Sequence, residues 1–233
     1  MKIHIITAFP NLILSPLEES IIKRSQEKQL VEIFVHNLRD YSTDKHHKVD
    51  DYPYGGAPGM ILKPEPIFAC IESILERFKI SNPNLLFLTP QGKTFHQSKA
   101  VELSEKDHLI FLCGHYKGID ERIRDYWKMD EISIGDYVLT GGELPTLVVI
   151  DSVIRLIPGV ISDIESARTD SFYDNRLDCP YYTRPEDFRG LKVPEVLLSG
   201  HHANIQDWQE QKAREKTQKY RPDLLNNNKK KKD

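Results

Sequence analysis

Cysteine is scarce in this chain of 233 residues: Cys70, Cys113 and Cys179 are odd in number, far apart and never in Cys-x-x-Cys spacing. A disulfide framework and a cysteine-rich zinc site are thereby excluded, and each thiol reads as a small apolar filler. No apolar run approaches the roughly 18 residues that a membrane span needs. The apolar stretch at the start is also too short for a secretory signal, so the reading is a cytoplasmic protein with no membrane association. No His-Glu-x-x-His and no i,i+4 histidine pair occurs, and adjacent His46-His47 and His201-His202 diverge on either a strand or a helix, so no metal site is predicted. Gly-x-Gly-x-x-Gly is missing too, which removes support for a dinucleotide site. Gln91-Gly92-Lys93-Thr94 contains the Gly-Lys-Thr of a phosphate loop, but Phe87 stands where that motif needs its first glycine.

What is present is an ordinary globular composition, 39% hydrophobic and 29% charged, with 32 basic against 35 acidic side chains and a net charge of −3. The small total conceals an asymmetry. From Lys212 to Lys232 nine Lys or Arg face only Glu215 and Asp223, a local +7 suited to phosphates or to a solvated helix face. Up to about residue 160, short apolar runs alternate with amphipathic ones, the pattern of an α/β domain on a mostly parallel sheet. Strands are predicted over 3–9, 31–35, 85–88, 109–112 and 132–134, and helices over 98–103 and 144–156, the latter buried. Ser15-Pro16-Leu17-Glu18 reads as a helix start with Ser15 as cap. A polar, aperiodic stretch then separates a first α/β domain (1–162) through a linker (163–175) from a small all-α domain (176–233).

Two glycine-bearing loops follow predicted strands: Gly114-His115-Tyr116-Lys117-Gly118, and Gly135-Asp136-Tyr137 with Gly141-Gly142-Glu143. Loops beyond the carboxyl ends of parallel strands are where ligands bind in open α/β sheets, and glycine lets backbone amides approach closely. Tight-turn chemistry would account for either loop alone; two in succession point equally to a ligand. A third, Tyr54-Gly55-Gly56-Ala57-Pro58-Gly59-Met60, reads as a packed Ω-type loop.

The run Ile132-Ser133-Ile134-Gly135-Asp136-Tyr137-Val138-Leu139-Thr140-Gly141-Gly142-Glu143-Leu144-Pro145 resembles the signature of the bacterial tRNA (guanine-N1)-methyltransferases, in the SPOUT superfamily of knotted methyltransferases. Asp50-Asp51-Tyr52-Pro53-Tyr54-Gly55-Gly56, Leu88-Thr89-Pro90-Gln91-Gly92, Cys113-Gly114-His115-Tyr116 and Gly118-Ile119-Asp120-Glu121-Arg122 support it. So do Ile157-Pro158-Gly159-Val160, Leu177-Asp178-Cys179-Pro180-Tyr181-Tyr182-Thr183-Arg184-Pro185 and Pro194-Glu195-Val196-Leu197-Leu198-Ser199-Gly200. The matches run in order over nearly the whole chain.

The resemblance implies a homodimer, a deep trefoil knot at the end of the α/β domain, and S-adenosylmethionine held in the knot. The implied cofactor contacts are Leu88, Thr89 and Pro90; Gly114, His115 and Tyr116; Ile134, Gly135, Asp136, Tyr137, Val138 and Leu139; and Gly141, Gly142 and Pro145. The implied methyl acceptor is N1 of the guanosine immediately 3′ of the anticodon in tRNA, with Asp170 as general base and Arg155 as the residue that helps activate the guanine. On the residues alone Asp170 reads as a cap or turn residue and Arg155 as a snorkelling surface residue. A carboxylate with an ordinary pKa of about 3.9 is a weak base, so it needs the charge developing on the guanine stabilised, and an Arg donor toward O6 would do that. Asp178, Arg184, His201, Lys212 and Arg214 are the implied tRNA contacts, with Trp208 and Tyr220 packing beside them. Lys117 departs from a family Glu associated with magnesium, which puts a magnesium requirement in doubt. Ala57 and Asn175 stand for family glycines and Tyr181 for a histidine; asparagine tolerates left-handed backbone, so Asn175 can preserve the conformation.

Overall fold

The computed structural model describes residues 1–161 and 170–226, so most of the expected linker and the Lys-rich end at 229–232 lie outside the described residues. The chain divides into two compact units, Met1–Ser162 and Asp163–Asp233.

In the first unit a five-stranded parallel sheet has the order β2-β1-β6-β5-β7, from β1 (Lys2–Thr7), β2 (Glu32–Asn37), β5 (Leu85–Thr94), β6 (His108–Leu112) and β7 (Asp130–Ser133). A small antiparallel pair, β3 (Asp50–Asp51) with β4 (Ile61–Leu62), stands apart. Helices cover both faces of the sheet, which is why its strands read as continuous apolar runs. One face packs Ile3, Ile5, Leu109 and Phe111 with Ile13 of α1 (Asn11–Leu17), Ile22 of α2 (Ser20–Glu27), Ala100 of α4 (Gln97–Ser104) and Val149, Ile150 and Val153 of α6 (Glu143–Ile154). The other packs Ile6, Phe87, Ile110 and Leu112 with Ile67, Ile71 and Ile74 of α3 (Pro64–Phe78) and Ile123 of α5 (Glu121–Tyr126). Each fully buried Ile or Phe contributes about 1.5–3 kcal/mol, so these two layers are the main source of stability. Among the described residues no helix is long and apolar enough to cross a membrane.

The predicted strands and the helices at 98–103 and 144–156 occur with ends displaced by a residue or two, except that β5 runs six residues past the expected end at Leu88, to Thr94. Two expectations are corrected. Ser15 caps nothing: the helix runs Asn11–Leu17 with Pro16 inside its last turn, and the Leu17 carbonyl is instead satisfied by the Gln26 side chain at 2.9 Å. And α6 is buried on one side only, since Leu144 and Val148 are exposed. The apparent phosphate loop is also resolved: Lys93 and Thr94 pair with β7, while Gly92 lies so close to the backbone of Glu131 and Ile132 that a Cβ has no room.

A histidine sits inside this sheet. His4 is fully buried between Phe34, stacked at 5.1 Å, and Phe78, edge-on at 4.5 Å; its Nδ1 lies 3.2 Å from Nε2 of His36 and its Nε2 has no hydrogen-bond partner. Burial, reinforced by His36 and His108, lowers its pKa to about 3 from an unfolded value near 6.5. The folded state therefore keeps His4 neutral while the unfolded chain binds a proton, so this stability is intact above pH 6.5 and is lost as pH falls toward 3. His36 is shifted the same way. Urea unfolding at pH 5.0 is expected to give at least about 2 kcal/mol less stability than at pH 7.5, with the difference shrinking in His4→Phe. A midpoint that ignores pH over this range, or a difference untouched by the substitution, contradicts the assignment.

In the second unit the helix His202–Tyr220 is flanked by Glu195–Leu198 and Pro222–Asn226. It also holds a short antiparallel pair, Asp187–Phe188 with Leu191–Lys192, which the all-α expectation omitted. Arg189 and Gly190 turn that pair with positive φ (57° and 82°), the turn chemistry of a tight hairpin. Asn175 has φ 53°, so it does hold the left-handed backbone for which a glycine would otherwise be used. The segment around it is tied to the long helix: Leu177 N donates to Thr217 Oγ1 at 2.9 Å, and Lys216 Nζ to Asp178 at 2.7 Å.

Candidate active site

At the carboxyl ends of β5, β6 and β7 the loops enclose a cavity of about 450 Å³, within the range of small-molecule sites. The first wall is 87–91. β5 and β7 are in register up to Leu88 opposite Ile132, after which Lys93 takes the place opposite that same residue, so the intervening turn is extruded. Pro90 in that turn has no N–H to offer a ladder. The second wall, 114–119, follows β6; the third, 132–135 and 137–142, follows β7 and is closed by Pro145 of α6. Arg124 stands at the side over the Phe87 ring at 5.1 Å, paired with Glu121 at 2.9 Å and Glu131 at 3.1 Å.

The second and third walls are locked together. Gly142 N donates to Gly114 O at 2.7 Å, and a Cβ on Gly142 would lie 2.9 Å from Cys113 Cα and Gly114 N, so only hydrogen fits there. One residue on, the Glu143 carboxylate is 2% exposed at the first turn of α6. Buried carboxylates need partners: Thr7 Oγ1 donates to it at 2.7 Å, the helix N-terminus favours its charge, and His115 Nδ1 lies 3.7 Å away. Phe9, whose ring is 4.2 Å from that of His115, donates its N–H to Thr7 Oγ1. Burial, with the Glu143 charge adding, pushes the Cys113 thiol well up, so it stays protonated and acts as filler.

Fourteen of the fifteen residues proposed as cofactor contacts line this cavity; Asp136 does not, and is exposed to solvent. Lys117, Arg124 and Thr140 line it without having been singled out as contacts. Glu143 was missed as well: nothing in its local sequence indicates that it meets Thr7, 136 positions away. Arg155 caps the C-terminus of α6, its N–H donating to Asp151 O at 3.4 Å. Asp170, in the other unit, is half-buried; its carbonyl accepts from Tyr173 N at 3.4 Å, and its charge adds to the burial that chiefly raises the nearby Tyr181 hydroxyl. Of the expected tRNA contacts, Arg184, His201 and Arg214 are exposed, while Lys212 is paired with Glu215 at 2.6 Å and Asp178 with Lys216. Trp208 packs against Tyr182 at 6.3 Å between centroids, whereas Tyr220 is exposed. Lys117 lines the wall, Glu121 in the same wall is paired with Arg124, and among the described residues no group of three His, Cys, Asp or Glu gathers.

Comparison with known proteins gives concordant results. The sequence model described as tRNA (Guanine-1)-methyltransferase TrmD matches residues 1–227. A tRNA (guanine-N(1)-)-methyltransferase of Clostridioides difficile is 53% identical over 224 residues, 96% of this chain and 97% of the relative. The protein of that name from Dehalococcoides mccartyi is 54% identical over 225 residues (97% and 90%), and the one from Bacillus cereus 53% identical over 225 (97% and 92%).

Proposed function

Because the chain belongs to the tRNA (guanine-1)-methyltransferase TrmD family, we propose that it transfers a methyl group from S-adenosylmethionine to N1 of the guanosine immediately 3′ of the anticodon in tRNA. The observation that carries this reading is the cavity formed by three strand-end loops, in which Gly114 and Gly142 are pressed together. Its size and its mixture of Leu88, Val138 and Leu139 with Thr89, His115 and Thr140 suit an adenosyl group bearing a polar tail.

S-adenosylmethionine supplies an activated methyl on a positively charged sulfur. Guanine N1 carries a proton and is not nucleophilic while it does. In this proposal the Asp170 carboxylate takes that proton, and the Arg155 guanidinium donates to O6, where the negative charge develops. A base on a separate unit suits a site completed only when tRNA binds. The first unit (1–162) then holds the cofactor, the second (176–233) serves as the tRNA platform, and the linker (163–175) carries the base; reading-frame maintenance and a cytoplasmic location follow from the substrate.

The trefoil knot belongs to the same proposal. It is supported by the path of the chain after β7, which returns from the sheet edge to contact Gly114 beyond β6 before α6 packs on α1, α2 and α4. Homodimerisation is supported by the exposed Leu12 and Leu14 of α1 beside Leu144 and Val148 of α6; sedimentation at micromolar concentration giving only a 27 kDa species would refute it. The reaction itself is tested by incubating unmodified tRNA with labelled S-adenosylmethionine and digesting the product to nucleosides. 1-Methylguanosine is expected. Bound but unlabelled tRNA would make the chain an RNA-binding module, and label on ribose would make it a different methyltransferase.

A further inference from the structure

The glycine-rich segment between β3 and β4 is not a packed loop. Tyr54 is 100% and Tyr52 78% exposed, and a side chain added at Gly55 or Gly56 would meet nothing within 4 Å. Its stem, by contrast, is fixed. Lys63 N donates to Val49 O at 2.8 Å, and Val49 and Leu62 are fully buried. Leu62 N also donates to Gly118 O at 3.0 Å, and Asp120 N to Leu62 O at 3.0 Å.

The segment is continuous with the cavity. Lys117 N donates to Met60 O at 2.9 Å, and the Lys117 stem lies on Gly59, where a Cβ would come within 2.9 Å of Cγ. Gly59 also has φ +99°, so the close approach and the backbone both call for glycine. Lys117 and the half-exposed Tyr116 line the cavity itself. Two bare aromatic rings on a rigid stem, next to a site that acts on a base, have the chemistry of a stacking platform. The carboxylates of Asp50 and Asp51 at the foot of the loop disfavour a phosphate, and Arg122 nearby is already held bidentately by Asp120 at 2.8 Å. The surface thus suits the face of a base rather than the backbone.

We propose that Tyr52 and Tyr54 stack on unpaired nucleobases flanking the methylated guanine, and that the Lys117–Gly59 contact fixes this platform against the cofactor cavity. The inference rests on the tRNA reading above. It is tested with Tyr54→Ala, Tyr52→Ala and the double variant, using an unmodified tRNA transcript, with tRNA binding, methyl transfer and S-adenosylmethionine binding measured separately. The double variant is expected to weaken tRNA binding, and to raise KM for tRNA, by about tenfold or more, with kcat changed by less than about threefold. The slope of affinity against salt should stay as in the parent, because no phosphate contact is lost. Tyr54→Phe, which keeps the ring, should restore most of the affinity lost in Tyr54→Ala.

Unaltered tRNA binding in the double variant overturns the proposal. So does a reduced salt slope, which would mean phosphate contact, or a fall in S-adenosylmethionine affinity or melting temperature, which would mean a structural role. If the parent binds tRNA but transfers no methyl, the catalytic reading fails while the binding comparison still scores the platform.

Discussion

Asp170→Asn is expected to slow single-turnover methyl transfer by about a hundred- to ten-thousand-fold, the usual range for loss of a general base. The substitution keeps the size and the hydrogen-bonding oxygen of the side chain but removes its capacity to accept a proton. Affinity for tRNA and for S-adenosylmethionine should stay within a few-fold, since the proton is transferred only on the way to the transition state; the loss belongs in kcat. Arg155→Ala should act on the same step, because a guanine whose O6 charge is not stabilised gives up its N1 proton less readily. If the two side chains work as a unit, the double variant will be little worse than the poorer single one. A rate for Asp170→Asn within threefold of the parent would remove Asp170 from the mechanism, and rapid quench with excess enzyme is the measurement.

The second large effect concerns the contact between loops. Gly142→Ala places a methyl 2.9 Å from the Cα of Cys113 and the N of Gly114, both backbone atoms that cannot turn aside as a side-chain tip could. To make room, the wall after β7 must move off the wall after β6, at the expense of the 2.7 Å bond between Gly142 and Gly114 and of the seat of α6. Overpacking of this kind costs about 1–3 kcal/mol, and here Gly114 and Gly142 also line the cavity. Affinity for S-adenosylmethionine is expected to fall at least tenfold by calorimetry, with a lower urea midpoint. An affinity within twofold of the parent would mean that the two walls are not coupled as described.

Which parts of this molecule the sequence reveals follows from how local their causes are. The inner strands are legible because β1, β6 and the first half of β5 are buried on both faces and so are largely apolar: Ile3, Ile5 and Ile6 of β1 divide between the two core layers. The helix start at Ser15 was misread because Ser-Pro-Leu-Glu satisfies a local capping pattern, while Gln26, nine residues beyond Leu17, supplies the partner that ends the helix there. Pro64–Phe78 carries a local helix signal of its own, Pro at its start and Ile67, Cys70, Ile71 and Ile74 at helical spacing. The cavity loops were visible as glycines after strands, but Glu143 was not, because its burial depends on Thr7 being brought to it by the sheet. At 54–60 composition suggests a packed loop, but three glycines indicate where backbone freedom is used, not whether side chains pack around it, and Tyr54 is fully exposed. Asp170 and Arg155 carry no local signature of catalysis; they were found by resemblance, and the substitutions above are what test them.

The central claim is methyl transfer to one nucleotide, and its most direct test is transfer of labelled methyl from S-adenosylmethionine to two tRNA transcripts that differ only in whether G or A follows the anticodon. Label on the G transcript alone is the predicted result. Equal label on both would place the reaction at another nucleotide, and label on neither would contradict the account.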